Sequence, residues 1–569
     1  MPTALEISVS ETLDLLDGAF REFAEGVVKD LYAVWLGAGI SLGKLPGLEE
    51  LAEAVLEHLR VRADLLDAEC RWRNSIDRIL GLIGLTEGEW KAIDYTRPVW
   101  PDLLSIRKRL VAEYARMLDQ NPMGERGDYL VWTAVDVIHR YADPAITPGA
   151  EHLGLAALIL EGAVSDIASA NWDPLVERAV KLLAGTEHIL LQPRILPADV
   201  QNNTARARIY KFHGCAELAG ANEAVYRARL VARASQIHGW ADKPENKVIA
   251  GKLLDLVISK PTLMLGLSAQ DTNIQAIFVK AQVHLPATFP THPPAVVLTE
   301  DRVGVDQRSL LKNFYKDDYE ANPRAIEEAA LLRAYAQSLL PALWLYVIYA
   351  KMSAFLGAAV PALPDGEQDA LRKALKLLRD TCAAAAIHGQ NEQFMLCALA
   401  IAGRAISLFR DGRTLPPGGG IYSPITVSPV QRSVADPTLP SSGLPQFALG
   451  LALLGRGQEE AFWTCATNDP SDPKSGTVRV AGNTRTAEVF FVATAQTAAR
   501  LVQAGHAAED DEVVVLHSDE IIAPAPRSPT APPGRTGKVR RREFSVSSVA
   551  DGALTLNALM RRFKAEMHL

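Results

Sequence analysis

Short apolar runs alternate with amphipathic stretches through the first half of the chain. Residues 31–36 form one continuous apolar run that ends in Gly37-Ala38-Gly39, a pattern that predicts a buried strand followed by a tight turn. Helices are predicted at residues 11–30 and at about 48–60, where apolar positions recur with a helical period. Further strands are predicted at 164–170, 188–192, 206–212, 261–267 and 295–299. This alternation predicts an α/β fold with a Rossmann-like parallel sheet covered by helices on both faces.

The same patterns divide the chain into regions. Residues 1–305 are predicted to hold the sheet, with a helical insertion at about 75–163. Residues 306–410 are predicted to be a helical assembly region, with helix throughout about 325–409. The remaining regions are a Pro-, Gly- and Ser-rich linker or long loop at 411–445 and a small α/β region at 446–569, with strands near 477–481, 488–493 and 512–517.

Composition is that of a soluble globular protein. Apolar residues make up 48% and charged residues 22%, with a formal net charge of −8, so the chain can build a large core and chain-wide disorder is excluded. The 5 cysteines form no CxxC pair, which excludes a zinc ribbon and a thioredoxin-type motif. Scattered thiols suit a reducing compartment, and the N-terminal residues lack the pattern of a signal peptide. We therefore expect a cytoplasmic protein.

One apolar stretch, at residues 339–363, is long enough to cross a bilayer. Pro341, Lys351 and Pro361 interrupt it, which favours a buried or oligomer-facing helix over a membrane span. Because large exposed apolar patches usually mark interfaces, this block also leads us to expect a homo-oligomer.

The C-terminal tail is basic. Residues 521–569 carry nine Lys/Arg against three Asp/Glu, after a Pro-rich lead-in. Such a tail can contact nucleic-acid phosphates or an acidic protein surface. The sequence favours a solvated, flexible segment over such a contact, because no aromatic residues lie between the charges for base stacking. The basic cluster consists of Arg535, Lys538, Arg540, Arg541 and Arg542.

Glycines and polar residues follow four of the predicted strands. The carboxyl ends of parallel strands line one crevice, where ligands bind, so these residues are expected to converge. Glycines allow a backbone to approach a diphosphate, and a following helix offers free N–H groups. Taken singly, each group has an ordinary explanation as tight packing, a turn, a helix cap or a hydrogen-bonded histidine. The residues are Gly37, Ala38, Gly39, Ser41, Asn171, Asp173, His213, Gly266, Ser268 and Asp271.

In their order along the chain these motifs resemble a known family. GAGIS (37–41), SANWD (169–173), KFHG (211–214) and GLSAQD (266–271) resemble the sirtuin fold, in its bacterial SIR2-like branch, over about residues 25–305. The resemblance implies an NAD site of Rossmann type. It places Gly37, Ala38, Gly39 and Ser41 around the diphosphate, Asn171 and Asp173 at the nicotinamide ribose, His213 as the catalytic histidine, Gly266 and Ser268 at the adenosine-side ribose, and Asp271 in shaping that loop.

Two departures from the family bear on the reaction. Deacetylating sirtuins hold a structural zinc with paired cysteines, which this chain cannot supply, so no zinc or other metal is expected. Residues 42–51 read LGKLPGLEEL instead of the acidic-Phe-Arg run of the deacetylases. Both match SIR2-like effectors of bacterial antiphage systems, which hydrolyse NAD to nicotinamide and ADP-ribose. In that reaction Asn171 would orient the attacking water and His213 would accept a proton.

The resemblance also implies partners and leaves alternatives open. It implies a regulated effector that depletes NAD in antiphage defence, with a HerA-type ATPase as the first expected partner and a short Argonaute as the second. Three other functions stay open: an NAD-dependent protein deacylase, a non-catalytic module that binds NAD and nucleic acid, and a nuclease active in a complex. The acidic residues show no metal-ligand spacing, which ranks the nuclease last.

Overall fold

The computed structural model describes residues 2–67, 69–185, 190–201, 205–284, 288–415, 419–472, 474–507, 512–519 and 542–569. Its central element is a seven-stranded parallel sheet in the order β3-β4-β2-β1-β5-β6-β7. The predicted α/β, Rossmann-like fold is confirmed. The strands are β1 (Ala33–Leu36), β2 (Asp166–Ser169), β3 (Leu191–Arg194), β4 (Ala207–Lys211), β5 (Thr262–Leu265), β6 (Val296–Thr299) and β7 (Leu331–Leu332).

Strand β1 is apolar at every position because helices cover both faces of the sheet. All four residues of β1 are buried. Val34 and Leu36 pack into one apolar cluster, while Ala33 and Trp35 pack into the cluster on the opposite face. This double burial explains why β1 reads in the sequence as a continuous apolar run.

Helices α1 to α18 surround this sheet and build the insertion. Helix α3 has the bounds predicted from the sequence, whereas the predicted helix at 11–30 is two helices. The helices are α1 (Val9–Asp17), α2 (Arg21–Val28), α3 (Leu48–Arg60), α4 (Arg71–Gly81), α5 (Glu87–Ala92), α6 (Leu103–Ala112), α7 (Tyr114–Met117), α8 (Val137–Ala142), α9 (Ala150–Leu160), α10 (Leu175–Ala184), α11 (Ala216–Ala221), α12 (Glu223–Tyr226), α13 (Ala234–Ile237), α14 (Lys247–Ser259), α15 (Thr272–His284), α16 (Val305–Tyr315), α17 (Asp317–Ala321) and α18 (Pro323–Ala330).

The helical insertion has an apolar core of its own. Residues of α3, α4, α6 and α8 form a cluster separate from the two that cover the sheet. Helix α9 lies within the predicted insertion at 75–163, yet all of its residues are buried and it packs against α10 in a sheet-covering cluster. Helix α9 is therefore part of the layer beneath the sheet.

Two predicted elements differ in the structure. The helix predicted throughout 325–409 is wrong at β7, where Leu331–Leu332 pairs in parallel with β6 and extends the sheet. Two leucines are too short a run to show a strand period in the sequence. The strand predicted at 188–192 is placed at β3, Leu191–Arg194, and residues 186–189 lie outside the described part of the chain.

The C-terminal half adds helices and a second sheet. This five-stranded mixed sheet has the order β12-β11-β10-β9-β8. Its strands are β8 (Trp463–Ala466), β9 (Val478–Gly482), β10 (Thr486–Val492), β11 (Val513–His517) and β12 (Arg542–Ser545). The helices are α19 (Ala336–Ala359), α20 (Asp365–Ala383), α21 (Asn391–Asp411), α22 (Val430–Val434), α23 (Leu444–Glu459), α24 (Ala495–Gln503), α25 (Val546–Ala550) and α26 (Leu556–Met567).

Helix α19 lies between the two halves of the protein. Its N-terminal part packs in the cluster that holds α9, and its C-terminal part packs in the cluster beneath the second sheet. Among the described residues, α19 and α21 are long and apolar enough to cross a membrane, but 72% and 56% of their most apolar windows are buried inside the protein. Packing within the chain thus accounts for the apolar stretch that contains Pro341 and Lys351.

The segment predicted as a linker or long loop is packed against the rest of the protein. It contains α22, and the side chains of Tyr422 and Ile425 are buried. Of the basic tail cluster, Arg542 begins β12 and donates a hydrogen bond to the Met567 carbonyl, so it takes part in the fold. The other members of the cluster, Arg535, Lys538, Arg540 and Arg541, lie outside the described residues.

Candidate functional site

The register of the parallel sheet brings the predicted motifs to one edge. Leu36, at the end of β1, is paired with Ser169 of β2 on one side and with Leu265 of β5 on the other. Ser169 is in turn paired with Lys211 of β4. The loops that carry the candidate residues therefore leave the sheet side by side, at its carboxyl edge, where open α/β sheets bind ligands.

Three glycines bring the turns after β1 and β5 into contact. The N–H of Gly39 donates to the Gly266 carbonyl at 3.0 Å, and a Cβ on Gly37 would lie 2.4 Å from that oxygen. Gly266 has a φ of +59°, and a Cβ there would lie 2.3 Å from the Ile40 nitrogen. The glycines are thus required for close packing of the two turns. After Gly37 the chain enters a short 3-10 helix at Ala38–Ser41, where Ala38 is exposed, before α3 begins.

Asn171 supplies a buried side-chain amide at this edge. It is 7% exposed, and its backbone N–H donates to the Ser169 hydroxyl at 3.1 Å. Its side-chain oxygen, Oδ1, has no hydrogen-bond partner within the described parts of the chain. Buried polar atoms are normally paired, so an unpaired amide oxygen in a ligand-binding edge fits a group that binds substrate or water.

Asp173 joins the loop after β2 to the turn after β1. Its Oδ1 accepts the Leu175 N–H at the start of α10, and its Oδ2 accepts the Ser41 hydroxyl, both at 3.1 Å. The Ser41 Oγ also lies 3.1 Å from Nε2 of His152, a histidine that the sequence motifs did not include. Asp173 is therefore held through both carboxylate oxygens.

A buried lysine supports the same loop from below. Lys211, at the end of β4, donates to the Asp173 carbonyl and lies 2.9 Å from Glu177 Oε1. Burial alone would lower the pKa of Lys211, but the neighbouring Cys215, Glu177 and Asp173 raise it above its ordinary value. Lys211 stands inside the KFHG motif, but nothing in the sequence indicated a role for its side chain.

His213 and Asp271 form a pair across the site. His213 Nε2 lies 2.7 Å from Asp271 Oδ2, and the two side chains are 9% and 7% exposed. Asp271 Oδ1 accepts the Asn273 N–H at 2.7 Å. Burial raises the pKa of Asp271, but contact with His213 and the bonds from Asn273 outweigh it and hold the pKa below its usual value. The sequence assigned Asp271 to shaping the adenosine-side loop; the structure also places it against the imidazole.

The rest of that loop is fixed by two glutamines. Gln307 Nε2 donates to the Leu267 carbonyl at 2.9 Å, and Gln275 Nε2 donates to the Ala269 carbonyl at 3.0 Å. Ser268 lies between them and is exposed, so its hydroxyl is accessible to a ligand. Tyr114, in the helical insertion, is close enough to Asp271 to feel its charge. Burial, and then this negative charge, raise the pKa of Tyr114 to about 12.

Comparison with known proteins agrees with this geometry. A family model described as the SIR2-like domain matches residues 165–320. These residues are therefore similar to SIR2-like domains. The match contains Asn171, His213 and the loop at 266–271, and β1 with its glycine turn lies outside it, although β1 pairs directly with β2 and β5. A search of curated proteins gives no match to the chain.

SIR2-like domains bind NAD and depend on it for their reactions, and the residues at this edge fit such a dinucleotide. The unpaired amide of Asn171 and the accessible hydroxyl of Ser268 offer polar contacts, and the turns after β1 and β5 pack backbone against backbone beside them. Across the described ranges, no three His, Cys, Asp or Glu side chains form a group that could hold a metal ion.

Proposed function

We propose that the SIR2-like domain is an NAD+ glycohydrolase, which cleaves the bond between nicotinamide and ribose to give nicotinamide and ADP-ribose. The observation that carries the proposal is the unpaired, buried Asn171 amide oxygen at the same sheet edge as the His213–Asp271 pair. The amide accepts a hydrogen bond from the attacking water, and the imidazole accepts the proton that the water releases. Nicotinamide leaves as a neutral molecule with the bonding electrons, so the leaving group needs no acid.

The charge balance of hydrolysis suits the His213–Asp271 pair. Water supplies the new hydroxyl on the ribose and releases one proton, which His213 takes up. The imidazolium then formed lies 2.7 Å from the Asp271 carboxylate. An opposite charge at that distance in a buried site stabilises the protonated imidazole, and Asp271 is in turn fixed by the backbone of Asn273.

Two features favour hydrolysis over transfer of ADP-ribose to an acylated lysine: the spacing of the cysteines and the helical character of the insertion. The chain has no CxxC pair with which to build the zinc module of deacetylating sirtuins. The insertion between β1 and β2 is instead a helical unit with its own apolar core. An NAD-dependent deacylase stays the second candidate, and it predicts an acetyl-ADP-ribose product from an acetylated peptide.

The test is incubation of the full chain with NAD, followed by chromatography of the products. Wild-type protein is expected to release nicotinamide and ADP-ribose in equal amounts. Asn171→Ala and His213→Ala are each expected to lower turnover by about 10²-fold or more, because each removes a group that acts on the water. His139→Ala is the matched control, since this histidine is 87% exposed on the insertion.

Folding and activity are separated by a binding measurement on the same proteins. Asn171→Ala and His213→Ala are expected to stay folded, with a single cooperative melting transition, and to retain binding of ADP-ribose. Near-wild-type turnover in either variant contradicts the site assignment. Acetyl-ADP-ribose formed only when an acetylated peptide is present would support the deacylase instead.

The wider role also rests on the resemblance. We propose that this NAD hydrolysis is a regulated effector activity in antiphage defence, exerted by NAD depletion in the cytoplasm by a homo-oligomer that acts with a HerA-type ATPase. Purification from the native host, with measurement of the mass of the complex, tests the partner. A co-purifying hexameric ATPase supports the proposal, whereas a short Argonaute or the chain alone contradicts it.

A further inference from the structure

A completely buried histidine lies behind the candidate site. His152 is 0% exposed and belongs to the first turn of α9, a helix whose residues are all buried. An imidazole has two ring nitrogens that need partners when they are buried. The partners of His152 lead into the site at the sheet edge.

The ring nitrogens of His152 have different roles. Nδ1 accepts the Gly149 N–H at 3.1 Å, and Glu151 Oε1 lies 3.2 Å from the same nitrogen. With Nδ1 as acceptor, the proton of the neutral ring is on Nε2. If the ring were protonated and Nδ1 faced Glu151, Nε2 would carry a proton as well. In both states Nε2–H is the donor to Ser41 Oγ, at 3.1 Å.

This donor determines the direction of the Ser41 hydroxyl. Ser41 Oγ accepts from His152, so its single proton is directed to Asp173 Oδ2, also at 3.1 Å. Asp173 Oδ1 is already occupied by the Leu175 N–H. This chain of hydrogen bonds runs from Gly149 through His152 and Ser41 to Asp173. It thus fixes the Asp173 carboxylate in the loop that carries Asn171.

We propose that His152 is a positioning residue of the NAD site, which acts through Ser41 to orient Asp173. The proposal rests on the function proposed above and deepens it, because it assigns a role to a side chain outside every recognised motif. His152 does not contact the reacting atoms. Its effect is on the geometry of the loop at 171–173, where a small displacement is expected to slow the reaction strongly.

Two amide substitutions separate the two hydrogen bonds of the ring. In His152→Asn the side-chain oxygen takes the place of Nδ1, so the Gly149 N–H keeps its acceptor and the contact with Ser41 is lost. In His152→Gln the side-chain nitrogen takes the place of Nε2, so the contact with Ser41 is kept and the acceptor for Gly149 is lost. A positioning role predicts that His152→Asn lowers kcat at least about tenfold and that His152→Gln stays near wild type.

A role in stability alone predicts a different result. The activities of both variants would then follow their melting temperatures, and His152→Gln, which loses the bond at the helix start, would be the more affected. A second measurement uses Ser41→Ala. If His152 acts through Ser41, the double variant Ser41→Ala with His152→Asn has the same kcat as Ser41→Ala alone. Losses that multiply in the double variant would overturn the proposal.

The positioning role of His152 can be tested even if the protein does not hydrolyse NAD. Wild-type protein that releases no nicotinamide contradicts the hydrolase. In that case the same variants are compared by calorimetric titration with NAD, where His152→Asn is expected to weaken binding about tenfold relative to His152→Gln. Equal NAD affinity of the two variants would then show that His152 does not position the site.

Discussion

His213 Nε2 and Asp271 Oδ2 lie 2.7 Å apart although their strands, β4 and β5, are separated in the sheet by β2 and β1. The loop after β5 therefore crosses the carboxyl edge to reach the imidazole. This contact joins a residue at the nicotinamide side of the proposed site to the loop at its adenosine side. It gives Asp271 a direct influence on the proposed proton acceptor.

Replacing this carboxylate tests its influence on the imidazole. Asp271→Asn keeps the size of the side chain and removes the charge that stabilises a protonated His213, so kcat for NAD hydrolysis is expected to fall about 10²-fold. ADP-ribose affinity is expected to change much less. Asp242→Asn is the control, because Asp242 is 78% exposed and outside the site. A kcat for Asp271→Asn equal to that of the control would contradict this role.

A pair of glycines separates steric contact from backbone strain. Gly266 and Gly239 have similar left-handed φ values of +59° and +65°. A Cβ at Gly239 meets nothing within 4 Å, whereas one at Gly266 lies 2.3 Å from the Ile40 nitrogen. Gly239→Ala is expected to cost about 1–2 kcal/mol of unfolding free energy. Gly266→Ala is expected to cost more and also to abolish NAD binding, because it pushes the two turns apart.

Urea unfolding and titration with NAD measure these two effects. Equal losses of stability in both variants, with NAD binding kept in Gly266→Ala, would show that the turns after β1 and β5 do not need their close contact.

The sheet and the location of the site were predictable because they depend on local patterns. Strands buried on both faces read as continuous apolar runs, and β1, β2, β5 and β6 all lie inside their predicted ranges. Parallel pairing then brings their carboxyl ends together without further information, so Asn171 and His213 could be placed at one edge. The glycines of the GAGIS motif were recognised, but their contact with Gly266 depends on how two distant turns pack.

Residues whose role depends on distant partners could not be predicted in this way. His152 and Glu151 are the only polar side chains of the otherwise apolar helix α9, and the partner Ser41 lies far away in the sequence. Lys351 was interpreted from the sequence as an interruption of a bilayer-spanning stretch. In the structure it is completely buried and paired with Glu161. From the sequence alone, a lysine within an apolar run is equally consistent with an interrupted membrane span and with a buried ion pair.

The buried pair between Lys351 and Glu161 connects α19 with the end of α9. Lys351 Nζ lies 2.6 Å from Glu161 Oε2 and 2.8 Å from the Thr426 carbonyl, and Glu161 also accepts the Tyr422 hydroxyl. Lys351→Met leaves a buried carboxylate without its cation and is expected to lower the unfolding free energy by about 3–5 kcal/mol. The loss is measured by urea unfolding.

The double variant Lys351→Met with Glu161→Gln tests the cause of that loss. Because both charges are removed, it is expected to be more stable than Lys351→Met alone. Lys312→Met is the control for replacing a lysine, since Lys312 is 61% exposed. A double variant less stable than Lys351→Met would show that the charge left on Glu161 is not the source of the destabilisation.

The carboxylate of Asp17 makes stability depend on pH through its contacts with α20. Arg379 holds both of its oxygens, at 3.0 and 2.6 Å, and Lys376 lies 2.9 Å away. Burial raises the pKa of Asp17, but these two cations outweigh it and hold the pKa below its usual value. A carboxyl whose pKa is lower in the folded than in the unfolded protein stabilises the fold at pH values above the unfolded pKa of about 4. This stability is lost as the pH falls through the folded pKa.

Asp17→Asn is therefore expected to be about 1–2 kcal/mol less stable than wild type at pH 7, with the difference shrinking below pH 4. Urea unfolding at pH 7 and below pH 4 measures this difference in unfolding free energy. Asp14→Asn is the control, because Asp14 is exposed. A difference between Asp17→Asn and wild type that does not change with pH would contradict the prediction.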